Sequence, residues 1–164
     1  MKRRPAALTV VSALALVVVS LFAVLPAVAG GGNGFVTGGG TKDQFSFAGR
    51  VSLTGGGAPK GHFIIIEHFN TPDGTNAAAT CTYRTFDQVV ISGNHASFHS
   101  VGKCKVYLTD GSTLKFNSDN VFGITDNGQP GNGVDVIDVN FLGASGISIP
   151  GGVLSSGNFI VTAP

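Results

Sequence analysis

The residues able to ligate a cation, move a proton or attack a bond are few: one Glu, eight Asp, four His and two Cys in 164 residues. The richest oxygen-donor stretch is 125–139, which holds Asp126, Asn127, Asp135 and Asp138 around Asn127-Gly128, Pro130-Gly131 and Asn132-Gly133. Gly131-Asn132-Gly133-Val134-Asp135-Val136-Ile137 fits the Gly-x-Gly-x-Asp-x-apolar part of a calcium-binding repeat, and Asp126, Asn127 and Asp138 could add oxygens. Against calcium stand the single copy, Pro130 in place of the first glycine, and the missing Asp-x-Asp-x-Asp-Gly order of an EF-hand. Turn chemistry is therefore the expectation and calcium the alternative cofactor. Asp126 and Asn127 should bond the turn backbone, while Asp135 and Asp138 should face solvent or a strand neighbour. Three residues apart, these last two fall on opposite faces of a regular strand.

Proton chemistry finds little support. His62 and His68 share a strand face but lie about 20 Å apart at about 3.3 Å per residue, and His95 and His99 lie about 13 Å apart, so neither pair can share a metal. Glu67 sits in an apolar run where a structural role is expected, and no Ser or Cys occupies a nucleophile motif such as Gly-x-Ser-x-Gly. The runs Gly38-Gly39-Gly40 and Gly55-Gly56-Gly57 lack the Gly-Lys-Ser/Thr of a phosphate loop and read as strand connections. No catalytic residue is expected. Tyr83, Tyr107 and Asn127 are the candidate ligand contacts, through ring faces and hydrogen bonds on loops at one end of the domain.

These residues need strands to position them. Residues 43–53 alternate, with Phe45, Phe47, Val51 and Leu53 on one face, and 62–69 is a β-branched and aromatic run expected to be a central strand buried on both faces. Residues 80–91 and 94–108 form a hairpin; with Ser92-Gly93 as its loop, paired positions sum to 185, and so do Cys81 and Cys104. Two cysteines opposed in an exported chain predict a disulfide. Asp110-Gly111 signals a second hairpin, followed by strands at 113–116, 120–124, 134–142, 147–149 and 157–162. Sustained helical spacing is missing past Leu25. The fold class is all-β: a single antiparallel sandwich or barrel of about seven to nine short strands.

Composition agrees, with 25 glycines, no Trp and 12% charged residues. Lys2-Arg3-Arg4, the apolar stretch 6–25 and Ala27-Val28-Ala29 form a secretory signal pattern, so residues 1–29 are expected to be removed, 30–34 to be a flexible leader and 35–164 to be one domain. The mature chain then carries seven basic and nine acidic residues, a net charge of −2. That balance predicts no attraction to nucleic acid, and no membrane association after signal cleavage.

Phe35-Val36-Thr37-Gly38-Gly39-Gly40, Phe45-Ser46-Phe47, Gly61-His62-Phe63 with His68, Ile91-Ser92-Gly93, residues 125–131 and 154–160 follow in order the landmarks of the post-COAP-1 family, which the chain resembles over nearly all of its mature length. The resemblance implies a bacterial extracellular domain and supplies no mechanism. The cysteine pair is not part of that pattern, and many relatives look like modules appended to larger surface proteins, whereas this domain follows a signal peptide alone. The expected function is a secreted, non-catalytic β-domain acting as a cell-surface, adhesion or protein-interaction module. Its partners would be an extracellular protein or an envelope or carbohydrate surface. The alternative is a carbohydrate or small-ligand binding domain.

Overall fold

A computed structural model describes residues 32–70, 76–128, 134–142 and 149–164. The expected signal peptide, residues 129–133 of the aspartate-rich corner and the start of the strand expected at 147–149 lie outside them. The described residues form ten strands: β1 (Gly34–Lys42), β2 (Phe45–Leu53), β3 (Lys60–Asn70), β4 (Asn76–Tyr83), β5 (Phe86–Ser92), β6 (His95–Tyr107), β7 (Thr113–Thr125), β8 (Val136–Phe141), β9 (Ile149–Val153) and β10 (Ser156–Thr162). All ladders are antiparallel, in the order β10-β1-β2-β3-β4-β6-β7-β8-β9, with β5 paired to β6 off this path. The protein is all-β, one curled half-barrel sheet. β9 and β10 end the path on opposite sides, yet only Leu154 and Ser155 separate them in the chain, so the sheet must curl until its two ends meet. Among the described residues no helix is long and apolar enough to cross a membrane.

Period-two alternation sends one face of every strand into the curl. Phe63, Phe98 and Phe122 meet there with centroids 4.8 to 5.6 Å apart, joined by Tyr83, Phe86 and Phe159. Aromatic pairs of this kind add roughly 0.5–1.5 kcal/mol each beyond their burial. Val51, Ile124, Ile137, Val139, Ile149 and Leu154 belong to the same core. β3 is central, as expected, but only one of its faces is buried: Phe63 and Ile65 point inward, while Ile64 and Ile66 are half-buried on the outer face. Among the described residues the single curled sheet has no second layer to cover that side.

Three other expectations change. The glycine run 38–40 is the interior of β1, held by β10 on one side and β2 on the other. A Cβ at Gly38, whose φ is +141°, would stand 2.2 Å from the Asn158 carbonyl oxygen, so the run permits close strand approach where a connection was expected. Residues 113–116 and 120–124 are one strand, β7. The end of the expected flexible leader is tied down: Gly34 opens β1 and the Asn33 carboxamide accepts from Gly55 N at 3.1 Å.

The cysteine hairpin is right in its pairing and wrong in its turn. The loop is Gly93-Asn94, Ser92 faces His95, and pairs near the turn sum to 187. A bulge between Asp87 and Val90, where Gln88 takes a φ of +47°, drops the sum to 186. A break at Arg84-Thr85 drops it again to 185, so Cys81 faces Cys104 with Cα atoms 4.0 Å apart and the disulfide formed. The break splits one long strand into β4, which stays beside β3, and β5, which reaches over to touch β1 and β10. Buried Ser100 donates to the Thr85 carbonyl at 2.6 Å, satisfying an acceptor that the break removes from the ladder.

Candidate functional site

Three of the four corner residues, Asp126, Asn127 and Asp135, serve the closing of the sheet. β10 pairs with β1 on one edge, and its other edge would present free N–H groups. Asp135 Oδ2 accepts from Phe159 N at 2.6 Å, and Asp126 Oδ2 accepts from Val161 N at 3.0 Å. The second oxygen of each carboxylate is also occupied: Asp135 Oδ1 accepts from Asn127 N and Asp126 Oδ1 from Gly128 N, both at 3.0 Å. Asn127 donates its side-chain amide to the Val134 carbonyl at 2.7 Å. The turn bonds expected of Asp126 and Asn127 are present. Asp135, expected at solvent or beside a strand neighbour, is 1% exposed and acts as a clasp on β10. Asp138 lies on the other face of β8, close to Gly123 and Gly151, so the four residues do not converge.

The tyrosines part company. Tyr83 is fully buried, its ring laid against Gly102, where a Cβ would come within 2.3 Å of Cε1. Its hydroxyl accepts from Asn120 Nδ2, and Ser118 donates to Asn120 Oδ1 at 3.0 Å. Burial pushes the Tyr83 phenol up to about 12, against the opposing pull of the Ser118 and Asn120 hydrogen bonds. Tyr83 is therefore corrected from ligand contact to core polar anchor, its buried ring packed over Gly102 of β6. Tyr107 is 49% exposed on the outer face. Asn127 is spent on the corner.

Two clusters on the outer face were not anticipated. In the first, His99 of β6 bridges its neighbours: Nδ1 meets Asp87 Oδ1 of β5, and Nε2 meets Asp119 Oδ1 of β7 at 2.6 Å. Partial burial works to lower the His99 pKa, but the hydrogen bonds and charges of Asp119 and Asp87 outweigh it and hold the imidazole above its ordinary value. The bulge at Gln88 builds this cluster, because in the 187 register of the turn His99 would face Gln88 in place of Asp87.

The second cluster is a groove of about 880 Å³ across β4, β6 and β7, lined by Arg84, Lys103, Lys105, Lys115, Asn117 and Tyr107. Thr80, Thr82 and Thr85 form its other wall. Its geometry follows from the disulfide: Thr80-Cys81-Thr82 and Lys103-Cys104-Lys105 each turn the cysteine inward and its neighbours outward, so the bridge pins the floor beneath the groove-lining side chains. Lys103 faces Thr82 and Asn117 across its two ladders; Lys105 faces Thr80 and, on β7, Lys115. Like charges directly opposite on neighbouring strands destabilise a sheet. Among the described residues no carboxylate lines the groove and none of its four cations forms an ion pair. The carboxylates that follow along the outer face, Asp119 and Asp87, are engaged by His99. The Lys103-x-Lys105-x-Tyr107 spacing was the available sequence signal, since period two puts all three on one face.

Compared with family models, curated proteins and solved structures, the chain matches none.

Proposed function

We propose that this chain is an exported, non-catalytic β-domain that works by attachment, as a cell-surface, adhesion or protein-interaction module, and that the groove across β4, β6 and β7 is its attachment face. The carrying observation is that four of the seven basic residues beyond position 29 collect on one carboxylate-free surface of a domain whose net charge there is −2. The signal-peptide pattern, the disulfide and the resemblance to an extracellular family support export. A surface that gathers like charges at directly opposed positions is suited to an anionic partner, whose binding removes the repulsion. Tyr107 favours the second reading, a carbohydrate-binding domain, with the site moved from the end loops to the sheet face.

Binding of the disulfide-bonded protein to washed envelopes of the cell that exports it tests the reading. The expected result is retention at low salt, release as salt rises, and loss of retention in Lys103→Glu/Lys105→Glu. Equal retention of both proteins at all salt concentrations would overturn the groove as the attachment face.

A further inference from the structure

We infer that the occupant of this groove is a linear polysaccharide carrying carboxylates along its length, a polyuronate; the inference rests on the groove being the attachment face. Length is the first argument. From Val101 to Tyr107 the groove follows seven residues of β6, about 20 Å at roughly 3.3 Å per residue, which is too long for one small anion and suits an extended chain of several sugar rings.

Charge distribution is the second. Lys103 and Lys105 point to the same side two residues apart, and Lys115 stands abreast of Lys105 on β7, so cations occupy two successive outward positions along the line of β6. An ordered series of carboxylates lying above it would meet one after another. Among the described residues no carboxylate lines the groove, and the nearest along the strands, Asp119 opposite Val101, is held by His99.

Neutral chemistry is the third. Thr80, Thr82 and Thr85 present hydroxyls and Asn117 an amide, groups that both donate to and accept from sugar hydroxyls, whereas a polyanion without hydroxyls uses only their donors. Tyr107 supplies one exposed ring at the end of the cationic row, an amphipathic surface for the face of a sugar ring. Single-stranded nucleic acid is served by successive aromatic platforms, and this groove has Tyr107 and the inward-turned Phe116 only. The Cys81–Cys104 bridge fixes β4 against β6 beneath the groove, which lowers the ordering cost of binding.

The test uses the disulfide-bonded protein and four immobilised probes: polygalacturonate, inorganic polyphosphate, single-stranded DNA and neutral dextran. The expected result is salt-sensitive binding to polygalacturonate, weakened at least tenfold by Lys105→Glu and at least threefold by Tyr107→Ala at fixed salt, with no binding to dextran. Thermal unfolding of each variant establishes that it is folded, and Lys115→Glu serves as the independent charge variant. Polyphosphate or DNA bound as tightly as polygalacturonate, with Tyr107→Ala without effect, would overturn the polyuronate while leaving an anion-binding attachment face. No binding to any of the three polyanions, together with retention on envelopes that Lys105→Glu does not change, would overturn both.

Discussion

The corner around Asp135 and the groove around Lys105 treat charge in opposite ways. At the corner two carboxylates are drawn inward and every oxygen accepts a backbone N–H, so that the loose edge of β10 is sealed without a strand beside it. In the groove three lysines and an arginine share an open surface with no carboxylate among its lining residues, and two of the lysines face each other. The first arrangement lowers the free energy of the fold. The second raises it. A cluster whose charges are satisfied internally is explained by folding, whereas one that opposes folding calls for a partner outside the chain.

The sharpest way to break this contrast is at Asp135. Asp135→Ala removes a buried acceptor of two hydrogen bonds and strands the Phe159 N–H, and should destabilise by about 3 kcal/mol in urea unfolding. Asp126→Ala, at a less buried position, should cost about 1.5 kcal/mol. Neither variant should change binding at the groove, and melting of the parent protein should be insensitive to chelator. A rise of several degrees in melting temperature on adding millimolar calcium, abolished by Asp135→Ala, would count against the clasp.

The disulfide belongs to both regions' logic, since it stabilises the fold and fixes the groove floor. Its 23-residue separation gives roughly 3 kcal/mol on the chain-entropy model, and because the hairpin is already closed by its turn, Cys81→Ser/Cys104→Ser should lose about 1.5 kcal/mol. Two free thiols titrated in the unfolded, unreduced protein would contradict the bridge itself.

His99 gives a smaller effect with a definite sign. Its folded pKa is raised above its unfolded value near 6.5, so its stabilising contribution is fully present below about pH 6.5 and is lost as pH rises through the folded pKa. Half-exposed partners screen the pair, which limits the contribution to less than about 1 kcal/mol. The fall in stability over that range should disappear in His99→Gln, and Asp119→Asn should reduce it. An unchanged pH profile in both would show that the imidazole does not link β5, β6 and β7.

Much of this architecture was legible in the chain. Alternation at Phe45, Phe47, Val51 and Leu53 reported the inner face of β2, and Cys81 and Cys104 reported the pairing of β4 with β6. The turn at Gly93-Asn94, the bulge at Gln88 and the break at Arg84-Thr85 were not legible, because each is settled by where β5 must lie on β1 and β10; their register shifts happened to cancel the misplaced turn. Asp135 was misread because a carboxylate near glycines resembles an exposed turn, and only the β10 edge arriving from 24 residues later gives it buried donors. Net charge hid the groove, since a total of −2 beyond position 29 says nothing about period-two placement of Lys103, Lys105 and Tyr107.

Lys115→Glu tests the central claim most directly when stability and binding are measured on the same sample. The exchange turns a repulsive cross-strand pair with Lys105 into an attractive one, so unfolding free energy should rise by about 0.5 kcal/mol. Binding to polygalacturonate should fall at least tenfold in the same protein. A variant no more stable than its parent that binds as the parent does would show that these lysines are ordinary solvated surface and that the groove has no anionic partner.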